Sequence, residues 1–250
     1  MNNCRPALLC TLAVLGACSS SSNGVSNTTV RSPTTATTTV TTTAAGPTVP
    51  AGPIQVSDNT PLAPGRQYQV PRTVLQRDIH FTATDSTRQA YSASGFLAVT
   101  ADKNGAQPLL VIIDLATAHV FRDPHADFST FDTKDDVLAA TNPVPDDFLG
   151  YLAQLPGLTA GAVATTQFLG VPARAMTYKV TSTKGGFPCA VGRTQACLLA
   201  LFVTSGPTIG YFEGDSGTYY ELQVDGRRLV AQVTDRPGAA DLVAGFVLGE

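Results

Sequence analysis

Ser216 sits between small residues in Gly214-Asp215-Ser216-Gly217, and His119 lies upstream in Ala116-Thr117-Ala118-His119-Val120. A serine hydroxyl becomes a nucleophile when a histidine takes its proton, a carboxylate orients that histidine, and backbone amides beside the serine hold the oxyanion. Asp136 and Asp146 are the acids available to orient it. A second group is Asp123-Pro124-His125-Ala126-Asp127, whose alternate residues would share one face of an extended chain and offer oxygen and imidazole ligands. Asp132, Asp135 and Asp136 follow it. The third group is Cys189 and Cys197, at the two ends of the loop CAVGRTQAC. These two thiols lack the further ligands that zinc requires and the CxxC spacing of a redox dithiol. The chain contains no glycine-rich phosphate loop, HExxH or GxSxG.

The GDSG stretch resembles the nucleophile segment of trypsin-like serine proteases, and ATAHV resembles their histidine segment. Those proteases continue as GDSGGP, where a second glycine and a proline shape the turn, whereas Thr218 and Tyr219 follow here. Two strands and a helix consume the 34 residues after Ser216, leaving nothing for the remainder of a second barrel. The expectation is therefore a polar connection before a hairpin strand, since Gly, Asp and Ser are what such loops use. No catalytic residue is assigned, and a serine hydrolase using Ser216 and His119 stands as the alternative. Pro124 and its polar neighbours read as a solvated loop, so neither a metal nor a cofactor is expected. His80, inside an alternating run, reads as structural.

What must position any such site is organised in three parts. Residues 1–17 carry one basic residue, Arg5, and then the apolar run PALLCTLAVLGA, about half of the roughly 20 residues a spanning helix needs. This is the pattern of an export signal peptide. It ends in Leu15-Gly16-Ala17-Cys18, which resembles the bacterial lipobox and implies cleavage before Cys18 and lipidation of its thiol. A diacylglyceryl group supplies the two chains that stable anchoring takes, so the resemblance implies a lipoprotein held at the extracytoplasmic face of the cell membrane. From Ser19 to Pro53 the chain has 17 Ser or Thr among 35 residues, no aromatic or acidic residue, and the single charge of Arg31. Such a segment cannot bury enough apolar surface to offset its ordering entropy, so 18–53 is expected to be a disordered tether. It serves either as bare spacer or as O-glycosylation substrate.

Residues 54–250 are long enough for one domain with a sizeable core. Their 14 basic and 19 acidic residues give a net −5 without a basic cluster, which argues against a nucleic-acid partner. Two cysteines in an exported domain imply a disulfide, Cys189 to Cys197, contributing roughly 2.5 kcal/mol in the chain-entropy picture. Alternating runs predict strands at Ile79–Thr84 and Gly95–Thr100, each with one wet face; the continuous run Leu109–Ile113 predicts a strand buried on both. Further strands are expected over Ala173–Thr181, Cys197–Val203, Tyr219–Val224 and Leu229–Thr234, the last two joined by an Asp225-Gly226 turn. Helices are expected at Asp146–Leu155, between prolines and Pro156-Gly157, and at Ala239–Val247.

The order of a helix ending LPGL, the strand LGVPARAMTYKV with Gly170, Pro172 and Ala173 at its start, CLLALF, YYELQVDGRRLVAQV and LVAGFVL resembles a group of actinobacterial, mycobacterial-type extracytoplasmic domains. The layout is similar to the PsbP-like fold of LpqN-type lipoproteins. The resemblance covers roughly residues 146–250, and the absence of tryptophan departs from it. It implies an α+β fold, an antiparallel sheet with helices packed on it, and a non-enzymatic binding or scaffolding module. The expected partners are the membrane, through Cys18, and a cell-wall, lipid or exported-protein ligand.

Overall fold

The computed structural model describes residues 52–102, 108–188 and 195–249. The expected signal peptide 1–17, Cys18, the expected tether up to residue 51, and Cys189 lie outside them. In chain order the strands are β1 (Ile54–Gln55), β2 (Thr60–Pro61), β3 (Gln67–Val70), β4 (Ile79–Thr82), β5 (Gln89–Ala93), β6 (Phe96–Thr100), β7 (Pro108–Asp114), β8 (Ala118–Phe121) and β9 (Thr141–Pro143). There follow β10 (Leu158–Ala160), β11 (Ala164–Phe168), β12 (Val171–Val180), β13 (Cys197–Val203), β14 (Thr208–Phe212), β15 (Ser216–Val224), β16 (Arg227–Thr234) and β17 (Phe246–Leu248). Four short helices interrupt them: α1 (Arg72–Leu75), α2 (Lys134–Ala139), α3 (Phe148–Ala153) and α4 (Ala239–Ala244).

Nine strands make a central sheet in the order β10-β12-β15-β16-β7-β6-β5-β2, with β11 sharing the β12 edge with β10. Its two faces are covered by different layers. On the first face Leu97, Val99, Leu110, Ile112, Leu222, Leu229 and Ala231 pack with Tyr68, Val70, Ile79 and Phe81 of the sheet β1-β3-β4-β17, and with Leu242 of α4. On the second face Phe96, Ala98, Val111, Ile113, Met176, Tyr178, Tyr219 and Val230 pack with Leu198, Leu201 and Val203 of the sheet β14-β13-β8-β9, and with Phe148, Leu149 and Leu152 of α3. A smaller cluster of Phe121, Val137, Leu199 and Phe202 lies on the far side of that second covering sheet, where α2 closes it. Only the β1–β3 pair is parallel among the described residues.

The expected strands appear, and Leu109–Ile113 is buried on both faces. Each such side chain contributes about 1.5–3 kcal/mol when covered, so a bare face would forfeit the share of Val111 and Ile113. Two expectations are corrected. Gly95–Thr100 has no wet face, because β6 is buried throughout: Phe96 and Ala98 lie under one covering sheet, Leu97 and Val99 under the other. The fold class is also not a PsbP-like α+β sheet packed by helices. Strands make up 47% of the described residues and helices 15%, and the covering layers are themselves mostly antiparallel sheets.

Local signals explain why helices stay short. Asp147 caps α3, accepting from the Gly150 amide at 3.3 Å, and the helix stops after six residues ahead of Pro156-Gly157. Gly157 adopts φ +80°, and a side chain there would meet the Ser182 carbonyl. The second expected helix ends at Ala244, after which Phe246–Leu248 pairs with β4. The apolar residues read as helical are used by an edge strand.

Candidate functional site

Antiparallel pairing puts directly opposed residues on the same face of a sheet. Thr165 opposes Arg174, which opposes Glu221, which opposes Val230 of the buried second face. Gln223 opposes Arg228 in the next row. The face that packs under α3 and its neighbouring sheet thus continues into polar rows beyond the cover. These rows floor a cleft of about 600 Å³ lined by Asp146, Thr165, Pro172, Arg174, Glu221, Gln223 and Arg228, with Ala173 and Leu222 completing it. The volume lies within the roughly 300–1,000 Å³ usual for small-ligand sites.

Glu221 is the anchor of the floor. Its side chain is only 8% exposed, and it accepts from Arg228 Nε at 2.7 Å and from Arg174 Nη1 at 3.2 Å. Arg228 Nη2 also donates to the carbonyl oxygens of Pro145 at 2.7 Å and Asp146 at 2.5 Å, while Arg174 Nη2 donates to Asp147 Oδ1 at 2.8 Å. The two guanidiniums therefore tie the strand floor to the segment that starts α3 and forms the cleft wall. The hydrogen bond from Arg174, with help from the Gly150 amide, holds the exposed Asp147 carboxyl below its usual range, and Asp147 in turn raises Arg174. Charge-assisted bonds of this kind are worth about 1.5–3 kcal/mol when sheltered and much less at the exposed Asp147 end.

The residues of the proposed triad are not brought together. Ser216 opens β15 opposite Lys179, and alternation puts its side chain on the first face with Tyr220 and Leu222. His119 is on β8, opposite Phe202 and Pro143. Ala118 and Val120 point into the core against the central sheet, so His119 points out of the far side of its own sheet. Two sheets separate the side chains. Asp136 completes a capping box with Thr133 at the start of α2, and Asp146 belongs to the cleft wall. The GDSG stretch has a structural use instead. Gly214 turns at φ +92°, Asp215 Oδ2 accepts from the Phe212 amide at 2.8 Å, and a side chain at 217 would strike the Val233 carbonyl. The expected loop ends earlier than read, since Ser216 and Gly217 already belong to the strand.

In the Asp123–Asp127 stretch the carboxylates face the chain itself: Asp123 Oδ1 accepts from the His125 amide at 2.9 Å and Asp127 Oδ1 from the Ser129 amide at 3.0 Å. No group of three or more His, Cys, Asp or Glu is arranged to hold a metal ion among the described residues. Cys197 is disulfide-bonded and buried; its expected partner Cys189 is outside the described residues, next to Pro188, which bridges to Ala196. His80, on β4 opposite Gln69 and Val247, is partly buried. No helix among the described residues is long and apolar enough to cross a membrane.

Arg174, Glu221 and Arg228 escaped the reading of the sequence, although a signal was present. Each is a charge in phase with an apolar row: Arg174 with Met176, Tyr178 and Val180, Glu221 with Tyr219, Arg228 with Val230. Further along that face Tyr178, Tyr211 and Tyr219 cluster, with Tyr178 centred 5.0 Å from Tyr219 and accepting from Gln232 Nε2 at 2.5 Å. Burial raises Tyr178 and Tyr211 well above the ordinary phenol value, so both stay neutral at physiological pH. Comparison of the chain with protein-family models, with curated proteins and with solved structures finds no match.

Proposed function

We propose that this chain is a lipid-anchored extracytoplasmic binding module. Its signal peptide, 1–17, is removed on export, Cys18 carries a diacylglyceryl anchor, and the tether to residue 53 holds the 54–250 domain away from the bilayer. The cleft over Arg174, Glu221 and Arg228 is its ligand site. The Leu15-Gly16-Ala17-Cys18 junction supports the location.

Binding rather than catalysis is supported by one observation: the ionisable groups of the cleft floor are engaged with one another. A general base needs a carboxylate or imidazole free to take a proton. Glu221 has both oxygens paired with guanidiniums. What the cleft presents outward is a shaped array of amide, hydroxyl and guanidinium donors, with the Asp146 carboxylate on its wall and the Pro172 ring beside it, which is the makeup of a recognition surface.

A photo-crosslinking residue at position 223, within the cleft, tests the site on intact cells against the same residue at the exposed position 66. Envelope adducts specific to 223 are expected. Equal adducts from both positions would overturn the cleft as the ligand site. Fractionation tests the anchor separately: the protein should sediment with membranes and be released by Cys18→Ala. Wild-type protein mostly in the medium, beginning with an unmodified residue 19, would overturn it.

A further inference from the structure

Resting on the cleft as ligand site, we infer that its ligand is an uncharged, hydroxyl-rich chain, an oligosaccharide in chemical class. The charges lining the cleft cancel: Arg174 and Arg228 face Glu221 and Asp146. Each arginine is already engaged, Arg174 with Glu221 and Asp147, Arg228 with Glu221 and two carbonyl oxygens. An anionic ligand meets the Glu221 and Asp146 carboxylates beside each arginine, and one that drew a guanidinium away from Glu221 would leave a carboxylate that is 8% exposed without its counter-charge. Removing one partner from a buried pair is the costly operation. A cationic ligand meets the Arg174 and Arg228 guanidiniums beside each carboxylate of the cleft. Neutral ligands avoid both penalties.

The capacity that remains is of the hydroxyl-binding kind. A guanidinium has five N–H donors and a carboxylate about four acceptor positions, and the bonds named above use only part of each. Thr165 and Gln223 are exposed on the same face and add a hydroxyl and an amide, groups that both donate and accept. A sugar hydroxyl does the same, so adjacent hydroxyls can bridge a donor and an acceptor set side by side on one strand row. Pro172, exposed and in phase with Arg174, gives the apolar surface against which the C–H face of a ring can lie. An extended peptide is recognised instead through the backbone of a sheet edge. The polar groups here project from a sheet face.

The test is an amide and arginine Nε–H NMR titration of the 54–250 domain with three soluble probes at matched length: neutral oligosaccharides of glucose, mannose, galactose or arabinose, a sulfated oligosaccharide, and an unstructured neutral peptide. Saturable shifts at Thr165, Arg174, Gln223 and Arg228 with a neutral oligosaccharide are expected. Its affinity should change less than about twofold on raising salt from low to physiological strength, since no net charge is screened. A Thr165→Ala, Gln223→Ala double variant, whose spectrum shows the fold retained, should bind roughly tenfold more weakly, equivalent to about 1.4 kcal/mol. Shifts at these residues with only the sulfated probe, falling with salt, or with only the peptide would overturn the saccharide class while keeping the cleft as a ligand site. Shifts confined to other surfaces would overturn both. No shift with any neutral oligosaccharide would overturn the class.

Discussion

Arg227 and Arg228 are neighbours on one strand, yet they serve opposite faces of the central sheet. Arg227 pairs with Asp114, which is almost completely buried and also caps the turn after β7 by accepting from the Ala116 amide. Arg228 pairs with Glu221 at the floor of an open cleft, where one further arginine completes the circuit. The first pair encloses its acid almost fully and has one buried guanidinium nitrogen without a partner among the described residues. The second has its groups arranged in a row facing solvent. Burial of a charge pair alone therefore does not mark a binding site; continuation of the charged row into a cavity does.

Removing the acid from each pair measures that difference. Asp114→Ala should cost about 3–5 kcal/mol, because Arg227 is left sheltered without its counter-charge. The loss would be seen as a lower urea midpoint with an unchanged slope. Asp114→Leu combined with Arg227→Met should recover most of it, since paired apolar replacements avoid the stranded charge. A cost under about 1 kcal/mol for Asp114→Ala would erase the contrast with the cleft. Glu221→Gln should cost less, about 1–3 kcal/mol, because Arg228 keeps two carbonyl acceptors and solvent reaches the floor. Its larger effect should be on ligand affinity. Arg174→Ala, with a side chain 45% exposed, should cost about 0–1 kcal/mol in the same denaturation assay. A greater loss would mean that Arg174 holds the α3 segment as well as the ligand.

The Arg72–Asp78 clasp provides the exposed end of the scale. Its hydrogen bond to Arg72 is the main cause holding the Asp78 carboxyl at about 2, below the ordinary 3.8. A folded-state value depressed in this way contributes stability at pH above the unfolded value, and that contribution is lost as pH falls from about 4 to about 2. A carbon-detected titration of Asp78 with its midpoint near 2 is expected; a midpoint near 4 would mean the clasp does not form in solution.

Two hairpins show how much of the fold was legible in the sequence. Asp225-Gly226 joins β15 and β16 with both residues at positive φ, +52° and +76°, and the dipeptide announced the turn. Leu169-Gly170 joins β11 and β12 with the same geometry, +52° and +79°, but leucine gives no such signal. A left-handed leucine costs about 1–2 kcal/mol, and here its side chain packs against the core of the first face. Tertiary contact offsets a local penalty that sequence alone reports as a contradiction. The same limit hid the layers. Alternation shows that a strand has two kinds of neighbour, but the run Gly95–Thr100 read as having one wet face because nothing local says that another sheet lies above it. The cleft charges were visible in phase with their apolar rows. Their convergence was not, since Arg174 and Glu221 are 47 residues apart in the chain.

The two-residue strand β1 has a mechanical consequence. It pairs with β3 along one edge, parallel, and the next contact inward is the Val56 amide on the Gln69 carbonyl at 2.8 Å. If Cys18 is the fixed end, tension reaching residue 53 loads this short pair before any strand of the nine-stranded sheet. Under shear flow or drag from a bound polymer, β1 would yield first, lengthening the leash by a few residues. The central β12–β15–β16 ladder, and with it the cleft, would remain intact. A weak terminal pair in series with a strong sheet acts as a force-limiting joint.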